Sequence, residues 1–386
     1  MSDVLSPQQQ AGTDEEEVYR PPGPRRGSGI VVFILAVIAA VAIPALFFVA
    51  LEATFEFMES QNLSPILTGF VAILIAVFGV FGVYTAVDLA IRRLPGTLSE
   101  RVRPYAWAGP AVVILLIYLV YPAVNTIQLS FLDATSTNFV GWANYEYVFT
   151  DPAMLRSLRN TLAWIFVVPV SAVAIGLGFA VLADKLRRLE SLAKSMIFLP
   201  MAISFIGAGI VWRFVYAFRI EGSGEQIGIL NAAWTSLGNA PVDWLSINGW
   251  NNLLLMVIMV WLQTGFAMVI LSSAIKGVPE DMLEAARIDG ATEVQVFWRV
   301  VVPNIMSSIV VVFTTMVIGV LKVFDIVWVM TGGQDGTEVI AERMIRNMFT
   351  FRDFGRGAAI AVFMFIAVIP IMIINIRRFR EEESIR

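Results

Sequence analysis

The sequence predicts an all-α, polytopic membrane protein. The chain has 386 residues, of which 58% are hydrophobic and 15% charged, and its mean hydropathy is +0.75. A soluble domain carries about 25% charged residues, so this composition is typical of a protein embedded in a bilayer. A transmembrane helix needs about 20 apolar residues, and charge-free windows of that order recur along the chain. Eight such windows predict eight transmembrane helices.

The predicted spans follow one another from the N-terminal tail to the C-terminus. They cover the windows 27–51, 60–87, 104–132, 160–183, 195–212, 244–275, 300–321 and 357–376. The fifth is expected to continue to about Phe218 and the seventh to about Met330. Residues 1–29 are poor in apolar side chains and rich in Gln, Pro and acids, which predicts a disordered cytoplasmic tail rather than a cleavable signal.

The distribution of positive charge predicts the orientation in the membrane. With a cytoplasmic N-terminus, most of the 27 Lys and Arg residues fall in inner segments, as the positive-inside rule requires. Both termini and the loop 276–303 are then cytoplasmic. The outer loop 331–356 runs against the rule, because it carries four arginines. Acidic residues interleave with them, so we expect an outer amphipathic segment there.

The composition also limits the chemistry. The chain contains no Cys and no His, which removes disulfides, thiol nucleophiles, the commonest metal ligands and imidazole acid–base catalysis. The glycine-rich turn 331–337 has no P-loop pattern. We therefore expect no catalytic residue, no metal site and no nucleotide site in this chain. The net charge of −4 argues against a nucleic-acid partner.

The loop 276–303 is a polar segment between two long apolar runs. Pro279, followed by two acids, favours a helix start, and Gly290 favours a helix end. Thr292 with Gln295 is the pattern of a capping box, which starts a second helix. The loop is thus predicted to hold two short helices separated by a glycine, an arrangement suited to docking.

This loop resembles the EAA signature of the permease subunits of ABC importers. The matching residues are Glu284, Ala285, Ala286, Asp289, Gly290, Ala291, Phe297 and Pro303. In that family the loop is the coupling helix, which sits in a cleft of a separate cytoplasmic ATPase. The resemblance implies that Glu284 to Ala291 couple this chain to an ATPase, and that ATP and Mg bind to that partner. We refer to residues 276–303 as the coupling loop.

The resemblance also implies a domain plan. A six-helix ABC-importer permease core is expected over 107–378, after two N-terminal transmembrane helices at 30–91 and a cytoplasmic linker at 92–106. A short cytoplasmic tail, 379–386, is expected to follow. Eight helices resemble the larger permease subunit of maltose-type importers, although the loop 133–159 is shorter than the periplasmic insertion of that subunit.

Polar residues within the spans are candidates for the solute pathway. Gln263 lies deep in the sixth span, where a lone amide can form an interhelical hydrogen bond or contact solute. The resemblance places Gln263 at a sugar-contacting position of maltose-type permeases. Leu262 and Phe266 are similarly placed but are more typical of packing. Ser204 corresponds to a sugar-contacting serine only if one residue is skipped.

Three further candidates lie towards the outer membrane surface. Trp212 fits either an interfacial aromatic belt or a surface on which sugar stacks. Lys322 and Asp325 are three residues apart on the predicted seventh helix, close enough to pair on one face. Such a pair fits a partly snorkelled ion pair, a wall of the solute pathway, or a contact with a docked binding protein.

The predicted function is that of a non-enzymatic permease subunit of an ATP-driven importer in the bacterial plasma membrane. The resemblance implies a second permease subunit, an ATPase dimer and an extracytoplasmic solute-binding protein as partners, and a sugar such as maltose or trehalose as solute. The alternatives are an ABC permease for a non-sugar solute, a stand-alone ion-coupled transporter, and a membrane scaffold or intramembrane enzyme. An ion-coupled transporter needs buried titratable groups, which the predicted spans largely lack.

Overall fold

The computed structural model describes residues 42, 46–47, 49–58, 60, 64–92, 96–186 and 188–385. Within these residues the secondary structure is helical, apart from an isolated antiparallel bridge between Leu132 and Phe139. The predicted tail 1–29 and most of the first predicted span lie outside the described residues. The all-α prediction is confirmed.

The helices are numbered in chain order. They are α1 (Pro65–Arg92), α2 (Gly96–Leu115), α3 (Tyr121–Leu129), α4 (Ala143–Thr150), α5 (Pro152–Asp184), α6 (Glu190–Phe198), α7 (Phe205–Val215), α8 (Ile229–Ser236), α9 (Trp250–Lys276), α10 (Glu280–Ile288), α11 (Glu293–Val296), α12 (Val302–Asn304), α13 (Met306–Leu321), α14 (Asp325–Thr331), α15 (Ile340–Ile345) and α16 (Phe354–Ile385). Short π-helical turns at Leu116–Val120, Phe297–Val301 and Arg346–Thr350 join neighbouring helices.

Five helical stretches in the described residues are long and apolar enough to cross a membrane. They are Ile66–Leu89, Trp107–Leu129, Pro152–Asp184, Trp250–Lys276 and Phe354–Ile373. Two bent helix pairs would each add one span, giving up to seven. This agrees with a multi-pass membrane protein, and the first of the eight predicted spans falls largely outside the described residues.

The chain divides into two compact units, Met1–Pro122 and Ala123–Arg386. In the first unit, the Tyr84 ring of α1 stacks on the Trp107 ring of α2 with centroids 5.2 Å apart. Asp88 forms ion pairs with Arg92 at 2.7 Å and Arg103 at 3.1 Å. Helix α2 begins within the segment that the sequence suggested as a linker.

The second unit is built around α5 and α9, which pack along most of their length. A Cβ atom added at Gly176 of α5 would lie 2.5 Å from Cβ of Ala267 in α9, so the two backbones approach closely. The buried Trp164 Nε1 donates a hydrogen bond to Asn252 Oδ1 at 2.7 Å across the same interface. Small residues and interhelical hydrogen bonds are the usual means of holding membrane helices together.

The fifth predicted span is not one straight helix. The structure bends it by 100° between Glu190–Ala202 and Phe205–Val215. Pro200 lies in a 3-10 turn that follows α6. Ser204 then caps α7, accepting a hydrogen bond from the Gly207 amide at 3.1 Å. The proline marks the end of the first helix, and the capping serine starts the next one. Hydropathy alone does not indicate this change of direction.

The seventh predicted span is also interrupted, so the expected pairing of Lys322 with Asp325 on one helix face is wrong. Helix α13 ends at Leu321, and α14 starts at Asp325. No ion pair joins Lys322 to Asp325 among the described residues, and Lys322 is exposed. The chain leaves the helix because Val323 turns into the core, where it is buried.

The segment 331–356 was predicted to be an outer amphipathic segment, and this is wrong for its centre. Helix α15 is buried, including Glu342 and Arg343. The Arg343 guanidinium donates to the Tyr147 hydroxyl at 2.8 Å, and Glu342 pairs with Arg346 at 2.5 Å. Charges that suggested an exposed face are therefore paired inside the unit, although the two Glu342 carboxylate oxygens and Arg343 Nε form no hydrogen bond with a described residue.

The last helix runs through the predicted C-terminal tail. Helix α16 extends from Phe354 to Ile385, so its end includes most of the segment 379–386. Phe149 of α4 meets Phe363 of α16 edge to face, with ring centroids 5.5 Å apart. This contact fixes α16 to the core of the second unit.

Candidate functional site

The coupling loop contains the two predicted helices. Pro279 caps α10, and the loop turns at Gly290, whose φ of +81° is a left-handed conformation that suits glycine. The Gly290 amide donates to the Arg287 carbonyl at 3.0 Å. The Ala291 amide donates to the Ala286 carbonyl, also at 3.0 Å. These two bonds form a Schellman motif, which satisfies the last carbonyls of α10.

The second helix starts with the predicted capping box. The Thr292 hydroxyl accepts from the Gln295 amide at 3.4 Å, and the Gln295 side-chain oxygen accepts from the Thr292 amide at 2.8 Å. Helix α11 then continues through a π turn to Asn304. Val296 and Val301 are buried and anchor this helix to the unit.

An ion pair that the sequence analysis missed closes the turn. Arg287 of α10 pairs with Glu293 of α11, with Nε and Oε1 at 2.8 Å. The hydrogen bond that Arg287 donates to the Glu293 carboxylate raises the pKa of Arg287 above its ordinary value. Opposite charges on either side of Gly290 were the available signal in the sequence. The pair connects α10 to α11 across the glycine on the exposed surface of the loop.

The solvent-exposed surface of the coupling loop carries apolar side chains. Ile288 is 85% exposed, Val294 68% and Trp298 61%. The EAA-signature residues Glu284 and Ala285 are exposed as well. Exposed apolar residues grouped on a polar loop are typical of a protein-docking surface. A cleft of about 410 Å³ separates the loop from the ends of α5 and α9, with Leu283 among its lining residues.

The structure separates the candidate solute-pathway residues into two groups. Leu262 is buried in the hydrophobic core of the second unit, and Trp212 packs against the same cluster. The Trp212 ring meets that of Trp261 edge to face, with centroids 5.6 Å apart. Phe266 packs against a different cluster, which contains Ala172 and neighbouring residues of α5. These positions are consistent with packing.

Gln263 has different surroundings. Its side chain is half-buried and makes no hydrogen bond to any residue that the structure describes. The Nε2 atom lies 4.0 Å from where a Cβ would stand at Gly319, so the amide lies beside α13. An amide without a partner between two helices is available to a solute. The exposed Ser204 caps α7, and the structure does not bring it, Lys322 or Asp325 into a shared hydrogen-bonding cluster with Gln263.

The structure is that of a polytopic, helical membrane protein whose coupling loop exposes apolar side chains. The model of the binding-protein-dependent transport system inner membrane component family matches residues 172–377, which include the coupling loop. The chain is 57% identical to an osmoprotective compounds uptake permease protein of Synechocystis sp. over 72% of this chain and 100% of that protein. It is 48% identical to an alpha-glucoside transport system permease protein of Rhizobium meliloti, over 74% of this chain and 85% of that protein.

A solved structure shares the fold. A bacterial ABC transporter involved in the import of alginate matches with a TM-score of 0.64 and 19% identity, over 74% of this chain and 99% of that chain. The chain therefore belongs to the family of binding-protein-dependent transport system inner membrane components. It is a permease subunit of the ABC-importer type, and the relatives it matches are permease proteins.

Proposed function

We propose that this chain imports a sugar, an α-glucoside or oligosaccharide such as maltose or trehalose, into the cytoplasm. The observation that carries the proposal is its 48% identity to the alpha-glucoside permease protein of Rhizobium meliloti. A trehalose/maltose transport system permease protein of Thermococcus litoralis, 26% identical over 72% of this chain and 94% of that protein, points to the same solute class.

Energy for import comes from a separate ATPase dimer that binds ATP and Mg. The coupling loop docks on this ATPase through Glu284, Ala285, Ala286, Asp289, Gly290 and Ala291. The small alanines let α10 approach a partner closely, and the hydrogen-bonded turn at Gly290 joins α10 to α11 so that the loop moves as one body. A second permease subunit completes the pathway, and an extracytoplasmic binding protein delivers the solute. Both termini lie in the cytoplasm of the bacterial cell.

Gln263 is the side chain that we propose contacts the solute. Its half-buried amide lacks a partner among the described residues, and an amide can donate to and accept from sugar hydroxyls. Ser204, Trp212, Leu262, Phe266, Lys322 and Asp325 stay secondary candidates for the pathway. Among them, Leu262 and Trp212 are the least available, since both pack in the core.

A second candidate solute is a non-sugar osmoprotectant. The relative from Synechocystis sp. is named for osmoprotective compounds, and it is 57% identical to this chain. A solute that is both a glucoside and osmoprotective is consistent with both relatives. A zwitterionic osmolyte would match the osmoprotective relative alone.

The test is uptake into proteoliposomes that contain this chain, its second permease and its ATPase, with the binding protein added outside. We expect ATP-dependent accumulation of labelled maltose or trehalose that is insensitive to proton and sodium ionophores. Accumulation of a zwitterionic osmolyte with no competition by either disaccharide would contradict the sugar assignment. Uptake without ATP that ionophores abolish would instead support an ion-coupled transporter.

A further inference from the structure

Five polar side chains form a connected cluster where three helices of the second unit meet. We call it the Lys194 cluster, and its members are Asp184, Glu190, Lys194, Ser272 and Lys276. Asp184 ends α5, Glu190 and Lys194 lie on α6, and Ser272 and Lys276 lie near the end of α9. In the sequence, Lys194 and Lys276 only added to the count of inner positive charges.

Lys194 is the centre of the cluster. Its Nζ donates to Asp184 Oδ1 at 2.9 Å, to Glu190 Oε1 at 2.6 Å and to the Ser272 hydroxyl. These contacts use all three ammonium donors. The Ser272 hydroxyl in turn donates to Asp184 at 3.0 Å. Lys194 thus joins α5, α6 and α9 through one side chain.

Most side chains of the Lys194 cluster are largely shielded from solvent, so their ion pairs contribute to holding the helices together. The side chains of Lys194 and Asp184 are 20% and 19% exposed, and Ser272 is buried. Lys276 closes the cluster from the more exposed side by pairing with Glu190. Ion pairs on an open surface contribute little, whereas a shielded charge that loses its partner is costly. Removing Lys194 would leave two acids facing each other with Lys276 alone to pair them.

The position of the cluster connects two parts of the molecule. Helix α9 continues through Gly277 into the coupling loop. Helix α6 continues through Pro200 into the 100° bend and α7. A Cβ added at Gly265 of α9 would lie 2.6 Å from the Ile197 carbonyl oxygen of α6, so the two helices are in backbone contact as well.

We propose that Lys194 is a positioning residue for transport. It holds α6 to the end of α9, so that a displacement of the coupling loop by the ATPase carries α6 and the bent α6–α7 pair with it. Without this connection the coupling loop still docks on the ATPase, but its displacement is not transmitted from α9 to α6. This inference rests on the proposed function, because it assigns a route for the same movement.

The test compares Lys194→Met with Arg188→Met in the full importer reconstituted with its ATPase, second permease and binding protein. Arg188 is an exposed neighbour that forms no ion pair with any described residue, so its loss tests for a general charge effect. Three quantities are measured: ATPase co-purification, ATP hydrolysis, and solute taken up per ATP hydrolysed. Coupling free energies between sites typically correspond to about 5- to 150-fold effects.

We expect Lys194→Met to retain the ATPase and its hydrolysis while uptake per ATP falls at least roughly fivefold. Lys194→Arg, which keeps the charge, should restore most of the ratio. Ser272→Ala keeps every charge and removes the two hydrogen bonds of the hydroxyl, so it provides a milder variant if Lys194→Met does not fold. We expect it to lower the ratio in the same direction. A purely structural defect would lower hydrolysis and uptake together.

An unchanged ratio in folded Lys194→Met or Ser272→Ala, or an equal fall in Arg188→Met, would overturn the proposal. So would a loss of uptake that is fully explained by loss of the ATPase from the complex. These results are read against the wild-type assembly. If the wild-type assembly shows no ATP-dependent uptake, the proposed function fails and this inference fails with it. If the wild-type assembly transports normally and the variants have an unchanged ratio of uptake to ATP hydrolysis, only the role of Lys194 is overturned.

Discussion

Two glycines of α5, two residues apart, have opposite surroundings. A Cβ at Gly176 would meet Ala267 Cβ at 2.5 Å and the Met268 amide at 2.9 Å, whereas a Cβ at Gly178 would meet nothing within 4 Å. Gly176→Ala should therefore destabilise the α5–α9 packing by about 1–3 kcal/mol, as overpacking does. Gly178→Ala should be neutral or slightly stabilising because alanine favours helix. Thermal unfolding of the purified protein in detergent measures both, and equal shifts would contradict the packing described.

At Gly290 the backbone conformation sets the constraint. The φ of +81° costs residues with a Cβ roughly 1–2 kcal/mol, and Asn tolerates it better than β-branched residues do. We expect Gly290→Val to lose ATPase co-purification while Gly290→Asn retains most of it. A steric clash would not cause this difference, because a Cβ at Gly290 would meet no atom within 4 Å. Equal retention in the two variants would show that the turn geometry is unimportant.

The unpartnered amide of Gln263 gives a third prediction. Gln263→Leu removes one or more hydrogen bonds to solute, each with a net effect of about 0.5–1.5 kcal/mol. The solute concentration for half-maximal uptake should rise by roughly 2- to 13-fold for one such bond. The control is Met259→Leu, a volume-conserving change in the core that should leave uptake nearly unchanged. If Gln263→Leu leaves this concentration unaltered, the amide does not contact solute.

At the scale of elements, local signals predicted the coupling loop and tertiary packing decided the rest. Gly290 and the Thr292–Gln295 capping box act within a few residues, so their sequence pattern is sufficient. The break at Lys322 depends on Val323 entering the core, which requires the surrounding helices. Hydropathy reports that a segment is apolar, but it does not report the direction in which the segment runs. Hydropathy therefore could not predict the bend of 100° after α6.

Helix α15 shows the same limit for charged residues. Interleaved Arg and Glu look solvated in a sequence, yet here they pair with each other and with Tyr147 inside the unit. Other partners of α15 lie far away along the chain. One of them is Thr161, whose hydroxyl accepts a hydrogen bond from the Ile340 amide at 3.0 Å.

A substitution of Asn160 tests whether this side chain holds the segment that precedes α15. Its buried amide donates to the Gly336 carbonyl at 2.7 Å and the Glu338 carbonyl at 2.9 Å. Asn160→Leu leaves both carbonyls without this donor, at a cost of about 1–3 kcal/mol for each that stays buried. Amide hydrogen exchange in 336–340 should accelerate. Arg159→Leu, a change at the exposed neighbouring position, should leave exchange unchanged, and similar exchange in both variants would contradict the role of Asn160.

At the scale of the whole molecule, the class of protein was predictable and the solute was not. Composition and the EAA pattern indicated a membrane permease, and the family match over 172–377 agrees with that prediction. We propose that Gln263 contacts the solute, and the surroundings of its amide are visible only when α9 and α13 are placed together. The same is true of the Lys194 cluster, which joins three helices that are separate in the sequence.

The absence of cysteine from the sequence allows a direct test of the central claim, that the coupling loop docks on an ATPase. A single Cys introduced as Ile288→Cys would be the only thiol of this chain, and a thiol-directed photo-crosslinker attached there should label the surface that the loop contacts. The matched control is Phe139→Cys, at a position that is 76% exposed in a loop predicted to face outside. We expect mass spectrometry to identify an ATPase subunit joined at position 288 and none joined at position 139. An ATPase joined at 139, or none at 288 in an actively transporting complex, would contradict the account.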